Sequence, residues 1–325
     1  MINAQTGEFA EKHGEWTAMA IKLPDGTYTR RPAADHRLRR LLQAAQDTVR
    51  KPLSECRVLD LACLEGHYAL EFGLHGAEVT GIEGRQVNVD KCNFAKDALA
   101  LERVTFVTDD VRHLSVEKYG RFDIVLCSGI LYHLPAADAA QLLRSIAEVC
   151  SGILLLDTFI AMSGQTSLKV FGRWVYGHNY SEHEPNESDE SKASKLWASI
   201  GNAASFWFTE ATLINLLMDA GFTSVSDVLV PNMPGNFADR KTYLAIRGHP
   251  FSIRSSDITQ NEPSHPLPEG INTLFDPSQR PPSTFFRIAK RILPSIIKNA
   301  IKPALRAVKV LPPDTTPDFM RNRRE

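Results

Sequence analysis

Apolar runs long enough to cross a bilayer are missing from this chain of 325 residues; a spanning helix needs about 20 consecutive apolar residues. The opening MINAQTGEFAEKHGEW has neither the basic start nor the apolar core of a secretory signal. A cytoplasmic protein is expected. Charge of one sign is missing too: 37 lysines and arginines balance 38 aspartates and glutamates, leaving a formal net charge of −1. Nothing global draws such a chain to nucleic acid. Cysteine is scarce and odd in number, with Cys56, Cys63, Cys92, Cys127 and Cys150 scattered along the sequence, a pattern of reduced, buried thiols and not of a disulfide framework or zinc site. Glycine is scarce where a phosphate-binding turn needs it most. The turn after Leu61 reads Ala62-Cys63-Leu64-Glu65-Gly66, so the GxGxxG spacing that lets backbone approach a pyrophosphate is absent.

What surrounds that turn is nonetheless a nucleoside-binding arrangement. An apolar strand (Val58-Leu59-Asp60-Leu61) enters it, a helix opens near Gly66, and a second strand, Val79 to Ile82, ends on Glu83. In open α/β sheets the turn and helix N-terminus meet one end of the ligand, and the strand-end acid takes the ribose hydroxyls. The carboxylate of Glu65 beside the turn opposes a phosphate. A ligand with adenosine, no phosphate and a cationic centre suits Asp60 and Glu65, and S-adenosylmethionine is such a ligand.

The run Asp60-Leu61-Ala62-Cys63-Leu64-Glu65-Gly66 resembles motif I of the class I S-adenosylmethionine-dependent methyltransferases, a loose DxGxGxG of which Asp60 and Gly66 remain. Further matches follow in that family's order over about residues 55–160. Glu83, followed by Gly84, stands where the ribose acid belongs. Val104-Thr105-Phe106-Val107, ending in Asp109-Asp110-Val111, resembles the adenine-binding terminus of strand three. Phe122 to Cys127 resembles strand four, with Ser128-Gly129 after it. The resemblance implies a cofactor site of Asp60, Ala62, Cys63, Gly66, Glu83, Gly84, Asp109, Asp110, Val111, Ser128 and Gly129. Asp109 and Asp110 compete for the adenine amino group, the family pattern favouring Asp110 with the Val111 amide on a ring nitrogen.

The fold class expected is α/β: a Rossmann-like class I methyltransferase sheet, mostly parallel with an antiparallel last strand. Polar residues 1–35 form an N-terminal lid or arm, and Asp35 caps a helix from His36 to about Arg50. Residues 36–248 make the methyltransferase domain, with strands at 57–62, 78–83, 104–108, 122–127, 152–157, 222–230 and 241–247 and helices at 67–75, 86–99, 136–149 and from Thr209 or Glu210 to Ala220. Residues 158–204 exceed an ordinary connection and read as a substrate-cap insertion with helical pattern near 195–200. A linker over 249–284 leads to a basic amphipathic helical extension, 285–325. Its stretch 285–311 interleaves Arg287, Lys290, Arg291, Lys298, Lys302, Arg306 and Lys309 with large apolar residues. A membrane surface, the domain itself and nucleic acid are the partners open to it; the first would make the protein peripheral at the inner membrane surface.

For chemistry, Tyr132-His133 falls at the sheet's carboxyl edge. Histidine is suited to taking a hydroxyl proton at neutral pH, which makes His133 the candidate base, with Tyr132 beside it; packing or loop orientation is its bland alternative. Trp197, Phe206 and Trp207 are expected to line an acceptor pocket, or else to pack the core. His178, His183 and Glu184 match no metal-ligand template, and no metal is expected. The Ile130-to-Leu134 run with Ser205-Phe206-Trp207-Phe208-Thr209 further resembles the branch containing the tRNA wobble-uridine carboxymethyltransferase and sugar or secondary-metabolite O-methyltransferases. A carboxylated cofactor would need extra cations near the sulfonium, for which Arg85 is the nearby candidate. The readings carried forward are O-methylation of a small-molecule or glycan hydroxyl, an RNA-modifying transferase, and a non-catalytic scaffold keeping the fold.

Overall fold

Residue patterns set the architecture from the first helices onward. The computed structural model describes residues 4–33, 35–184, 186–230 and 237–249. The expected linker beyond His249 and the basic extension 285–325 lie outside the described residues. Before the sheet come α1 (Ala4–His13) and α2 (His36–Thr48). Asp35 caps α2 by accepting the Leu38 amide at 2.9 Å, and its Leu38, Leu41 and Ala45 stripe is buried. Alternation follows: β1 (Arg57–Leu61), α3 (His67–Leu74), β2 (Glu78–Glu83), α4 (Gln86–Ala98), β3 (Val104–Thr108), the single turn α5 (Val116–Tyr119), β4 (Phe122–Ser128), α6 (Ala136–Val149) and β5 (Cys150–Phe159). After it come β6 (Thr166–Val170), β7 (Arg173–Ser181), α7 (Asp189–Ser194), β8 (Ala204–Phe208), α8 (Glu210–Ala220), β9 (Phe222–Asp227) and β10 (Arg240–Arg247).

Seven strands form one sheet in the order β3-β2-β1-β4-β5-β10-β9. The first five pair in parallel, and β10 runs antiparallel to both β5 and β9. Strand alternation splits the core into two faces. Leu59, Leu61, Val125, Cys127, Leu154 and Leu156 face α6 and α8, while Val58, Ile124, Leu126, Ile153 and Leu155 face α2, α3 and α4. Strand order reverses between β1 and β4, so the ligand crevice of such a sheet opens at their carboxyl ends.

The inserted segment is a separate three-stranded antiparallel sheet, β6-β7-β8. It reaches Phe208 and so takes in residues that the expected 158–204 boundary left outside. Its helix is α7, capped by Ser188 accepting the Ser191 amide at 3.2 Å, and not the 195–200 stretch. There the Lys195 carbonyl closes a single turn with the Ala198 amide at 3.1 Å, and the Lys195 and Ala198 carbonyls accept from Arg85. The arm also departs from expectation: it contains α1, whose one large apolar contact, Phe9, packs on Phe94 of α4 with ring centroids 4.4 Å apart and on buried Trp16. Among the described residues no helix is long and apolar enough to cross a membrane.

Candidate active site

The turn after β1 is built from below. Gly66 opens α3 with no capping side chain, and Asp60 supplies the missing acceptor by taking the Ala69 amide at 3.1 Å. Glu83, at the end of β2, joins two elements: it accepts the Leu64 amide at 3.0 Å, the Arg85 amide at 3.0 Å and the Asn88 side-chain amide at 3.1 Å. Ala62 and Leu64 both adopt φ of 52°, the left-handed region where glycine is at home; a side chain there costs roughly 1–2 kcal/mol. Cys63 contributes backbone to the turn while its thiol points down, 3.0 Å from where a Cβ on Gly81 would stand. Cys92 and burial hold that thiol well above its ordinary range.

Burial pushes the Asp60 carboxyl up to about 7, against the Ala69 hydrogen bond. Burial likewise raises Glu83, opposed by the donors it accepts. Beside Glu83, the Asn88 Oδ1 is buried without a partner. Buried acceptors call for donors, and ribose hydroxyls are donors, so this set fits an adenosyl cofactor. Glu65 behaves otherwise than expected. Its carboxylate turns from the crevice to the arm, accepting the Thr17 amide at 2.8 Å, the Ala18 amide at 2.8 Å and Lys91 Nζ at 3.0 Å. Neutralised by Lys91, it offers no charge to a bound cation.

At the end of β3 the two acids separate. Despite partial burial, Lys118, Tyr119 and His113 hold the Asp109 carboxyl well below the usual range, and these three donors leave its side chain 11% exposed. Asp110 caps the turn Val111–His113 through the Arg112 amide, 2.9 Å away, pairs with the Arg112 guanidinium, and keeps 34% exposure. Asp110 is thus the more accessible to an incoming amine.

Ser128 and Gly129 leave β4 beside Asp157, whose carbonyl accepts the Gly129 amide at 3.0 Å. Gly129 has φ of 92°, and a Cβ there would lie 3.7 Å from the Tyr132 hydroxyl and 4.0 Å from Arg240 Nη2. Sequence reasoning missed the ionic group at this place. Buried Asp157 accepts from Arg240 Nε and the Thr242 hydroxyl, each at 2.7 Å, and forms an ion pair with Arg37, whose Nε lies 2.9 Å away. Two guanidiniums meet one carboxylate. They lie more than 80 residues apart in sequence on either side of Asp157, so no local motif announces them. Arg85, the cation expected to serve here, donates instead to the Lys195 and Ala198 carbonyls at 2.9 and 3.1 Å.

Beyond Gly129 the cap supplies an aromatic wall. Trp207 is stacked between Phe159, with ring centroids 4.8 Å apart, and Tyr180, at 4.9 Å; Tyr132 meets both Phe159 and Trp207 edge-on. Of its two expected roles Phe206 shows core packing: pleat alternation sends it to the opposite face of β8 from Trp207, where it is 2% exposed in the main core and borders a small cavity with Tyr132 and Phe159. Trp197 stands 65% exposed on the cap, away from this stack. His183 is structural, donating from Nε2 to the Ser199 carbonyl at 2.8 Å, and His178 packs on Trp207.

His133 lies in the short turn Leu131–His133, its ring 4.3 Å from that of Tyr132. Its Nδ1 is 3.0 Å from both carboxylate oxygens of Glu182. An ionised carboxylate only accepts, so Nδ1 carries the proton. In the sequence Glu182 is one of five acids between 182 and 190, with Glu184, Glu187, Asp189 and Glu190, and nothing local sets it apart.

An α/β sheet of this order, with its last strand antiparallel and acids at the ends of β1 and β2, defines the Rossmann-like class I methyltransferase fold. Residues 58–151 match the family model described as a methyltransferase domain. Among curated proteins it is 30% identical over 99 residues to the ubiquinone biosynthesis O-methyltransferase of Bordetella pertussis, covering 30% of this chain and 39% of that protein. It is 28% identical over 117 residues to the magnesium-protoporphyrin O-methyltransferase of Synechocystis sp., covering 35% of this chain and 49% of that one. The matches span 39% to 65% of the curated relatives' own lengths. The N-terminal domain of EvdMO1, solved in the presence of SAH and D-fucose, superposes with a TM-score of 0.58 at 20% identity, covering 75% of this chain and 97% of that one; this likeness shows the fold.

Proposed function

We infer that this protein is an S-adenosylmethionine-dependent methyltransferase that acts on a hydroxyl oxygen of a small molecule or glycan. The observation that carries the oxygen acceptor is His133, whose ring packs on Tyr132 of the aromatic wall and whose Nδ1 is tied to Glu182. S-adenosylmethionine, when bound, supplies an electrophilic methyl group on a sulfonium. Glu83 and Asn88 hold the ribose and Asp110 the adenine amine. The aromatic wall excludes water and orients an acceptor ring, and His133 accepts the hydroxyl proton. Placement accounts for most of the rate in such a reaction. Calorimetry with S-adenosylmethionine and with its demethylated product tests the reading: no heat of binding for either leaves only the scaffold. With binding established, labelled-methyl transfer to D-fucose, other free sugars, phenols and bulk tRNA identifies the acceptor class. Full turnover in His133→Ala removes that residue as base.

A second reading is favoured by one observation, the Arg37-Asp157-Arg240 group beside Gly129. Two cations against one anion leave positive charge where a carboxylated S-adenosylmethionine would carry its extra carboxylate, which supports carboxymethyl transfer of the wobble-uridine kind. Tighter binding of that cofactor than of S-adenosylmethionine in the same calorimeter, lost in Arg240→Ala, distinguishes it.

A further inference from the structure

Glu182 is unlike the acids around it. Its side chain is 1% exposed, and Ser199 in the cap donates its amide to Oε2 at 3.1 Å. Burial opposes its ionisation, but His133 and the other donors outweigh that and hold its carboxyl below the usual range. A pin between cap and core does not require this ion pair. Three successive carbonyls already accept cap donors: Tyr132 from Trp207 Nε1 at 3.1 Å, His133 from Asn202 Nδ2 at 3.0 Å and Leu134 from the Phe206 amide at 3.0 Å. What the carboxylate adds is control of the imidazole. With Nδ1 tied, the free lone pair sits on Nε2, which has no hydrogen-bond partner among the described residues, and the ring keeps 16% exposure.

We propose that Glu182 is the positioning residue of a His133–Glu182 pair, a base assembled only where the cap meets the core. It fixes the Nδ1–H tautomer, aims Nε2 at the acceptor and stabilises the imidazolium that forms, as carboxylates do for histidine bases generally. This rests on the methyltransferase reading and narrows its acceptor. In the step, the acceptor O–H bond breaks with its proton passing to Nε2. The oxygen's electron pair forms the O–CH3 bond, and the C–S pair stays on sulfur as a neutral thioether. An acceptor carboxylate is already a nucleophile and needs no base. The pair therefore points to a neutral hydroxyl, an alcohol or sugar and not an acid.

Long-range 15N–1H spectra of histidine-labelled protein test it, with His133→Asn assigning the signal. The neutral wild-type ring is expected in the Nδ1–H form. In Glu182→Ala it is expected to revert toward the Nε2–H form that free imidazole prefers, whereas Glu182→Gln, which retains an oxygen acceptor of the same reach, keeps Nδ1–H. A wild-type ring in the Nε2–H form, or an Nδ1–H ring unchanged in Glu182→Ala, overturns the proposal. With any sugar found as acceptor, both variants are expected to lose about 100-fold in kcat, with KM for S-adenosylmethionine unchanged; full kcat in Glu182→Ala also overturns it. Calorimetry with the demethylated product keeps the two failures apart. If wild type does not bind it, the methyltransferase reading falls; if wild type and Glu182→Ala bind it equally while the tautomer does not change, the pairing alone falls.

Discussion

Asp60 caps α3 through the Ala69 amide from the carboxyl end of β1, where the crevice opens. Raised to about 7 in the folded chain from an ordinary 3.8, it keeps a proton that the unfolded chain has already released over that interval. Its contribution to stability therefore falls as pH climbs from 3.8 to 7, and its full cost is present above 7. A cation bound nearby pulls the equilibrium back toward the carboxylate. S-adenosylmethionine binding near pH 6.5 is thus expected to release protons, seen as a dependence of the calorimetric enthalpy on buffer ionisation. Asp60→Asn still accepts the Ala69 amide, so it should keep the fold and abolish the proton release. Equal release in that variant would place the titration elsewhere.

Among the elements, the cap sheet depends on close approach at Gly177. A Cβ there would stand 2.0 Å from the Trp207 carbonyl and 2.6 Å from the Phe206 ring, and backbone cannot yield as a side chain tip can. Gly177→Ala is expected to part β7 from β8 and to remove the near-ultraviolet dichroism of the Phe159-Trp207-Tyr180 stack. The sheet strands were legible because their signals are local: apolar runs closed by Gly, Asp or Glu, with capping residues such as Asp35 and Thr209 at helix starts. The cap was legible only as an excess of length. Its strands mix Trp, Tyr, His, Asn and Lys on a face that neither repeats nor runs apolar, and its partners are distant. Glu182 meets His133 across 49 residues, and Arg240 meets Asp157 across 83. The cofactor side was readable for the opposite reason, since Asp60, Gly66 and Glu83 lie on one strand-turn-helix-strand unit.

Over the whole molecule, the arm closes on a buried ion pair, Lys91–Glu65, to which it gives the Thr17 and Ala18 amides. Lys91 Nζ reaches Glu65 and, at 2.6 Å, the Glu15 carbonyl, beneath the Trp16 ring. Removing one member strands the other's charge in the interior. Lys91→Ala is expected to lower the free energy of unfolding by about 3–5 kcal/mol in urea titrations, whereas Glu65→Gln combined with Lys91→Met, which keeps an uncharged oxygen for the Thr17 and Ala18 amides, recovers part of it. Equal losses in the single and double variants would mean that packing, not charge, holds the arm.

Ile200 stands 2.6 Å from where a Cβ on Gly84 would be, and the neighbouring 195–198 carbonyls grip Arg85. The cap therefore covers the end of β2 beside Glu83, and in the proposed transferase a nucleoside seated there is expected to leave only after the cap moves. For the proposed transferase this imposes a compulsory order on turnover, cofactor first in and demethylated product last out. In steady-state kinetics that product should inhibit competitively against S-adenosylmethionine and noncompetitively against the acceptor, and Arg85→Ala should hasten its release.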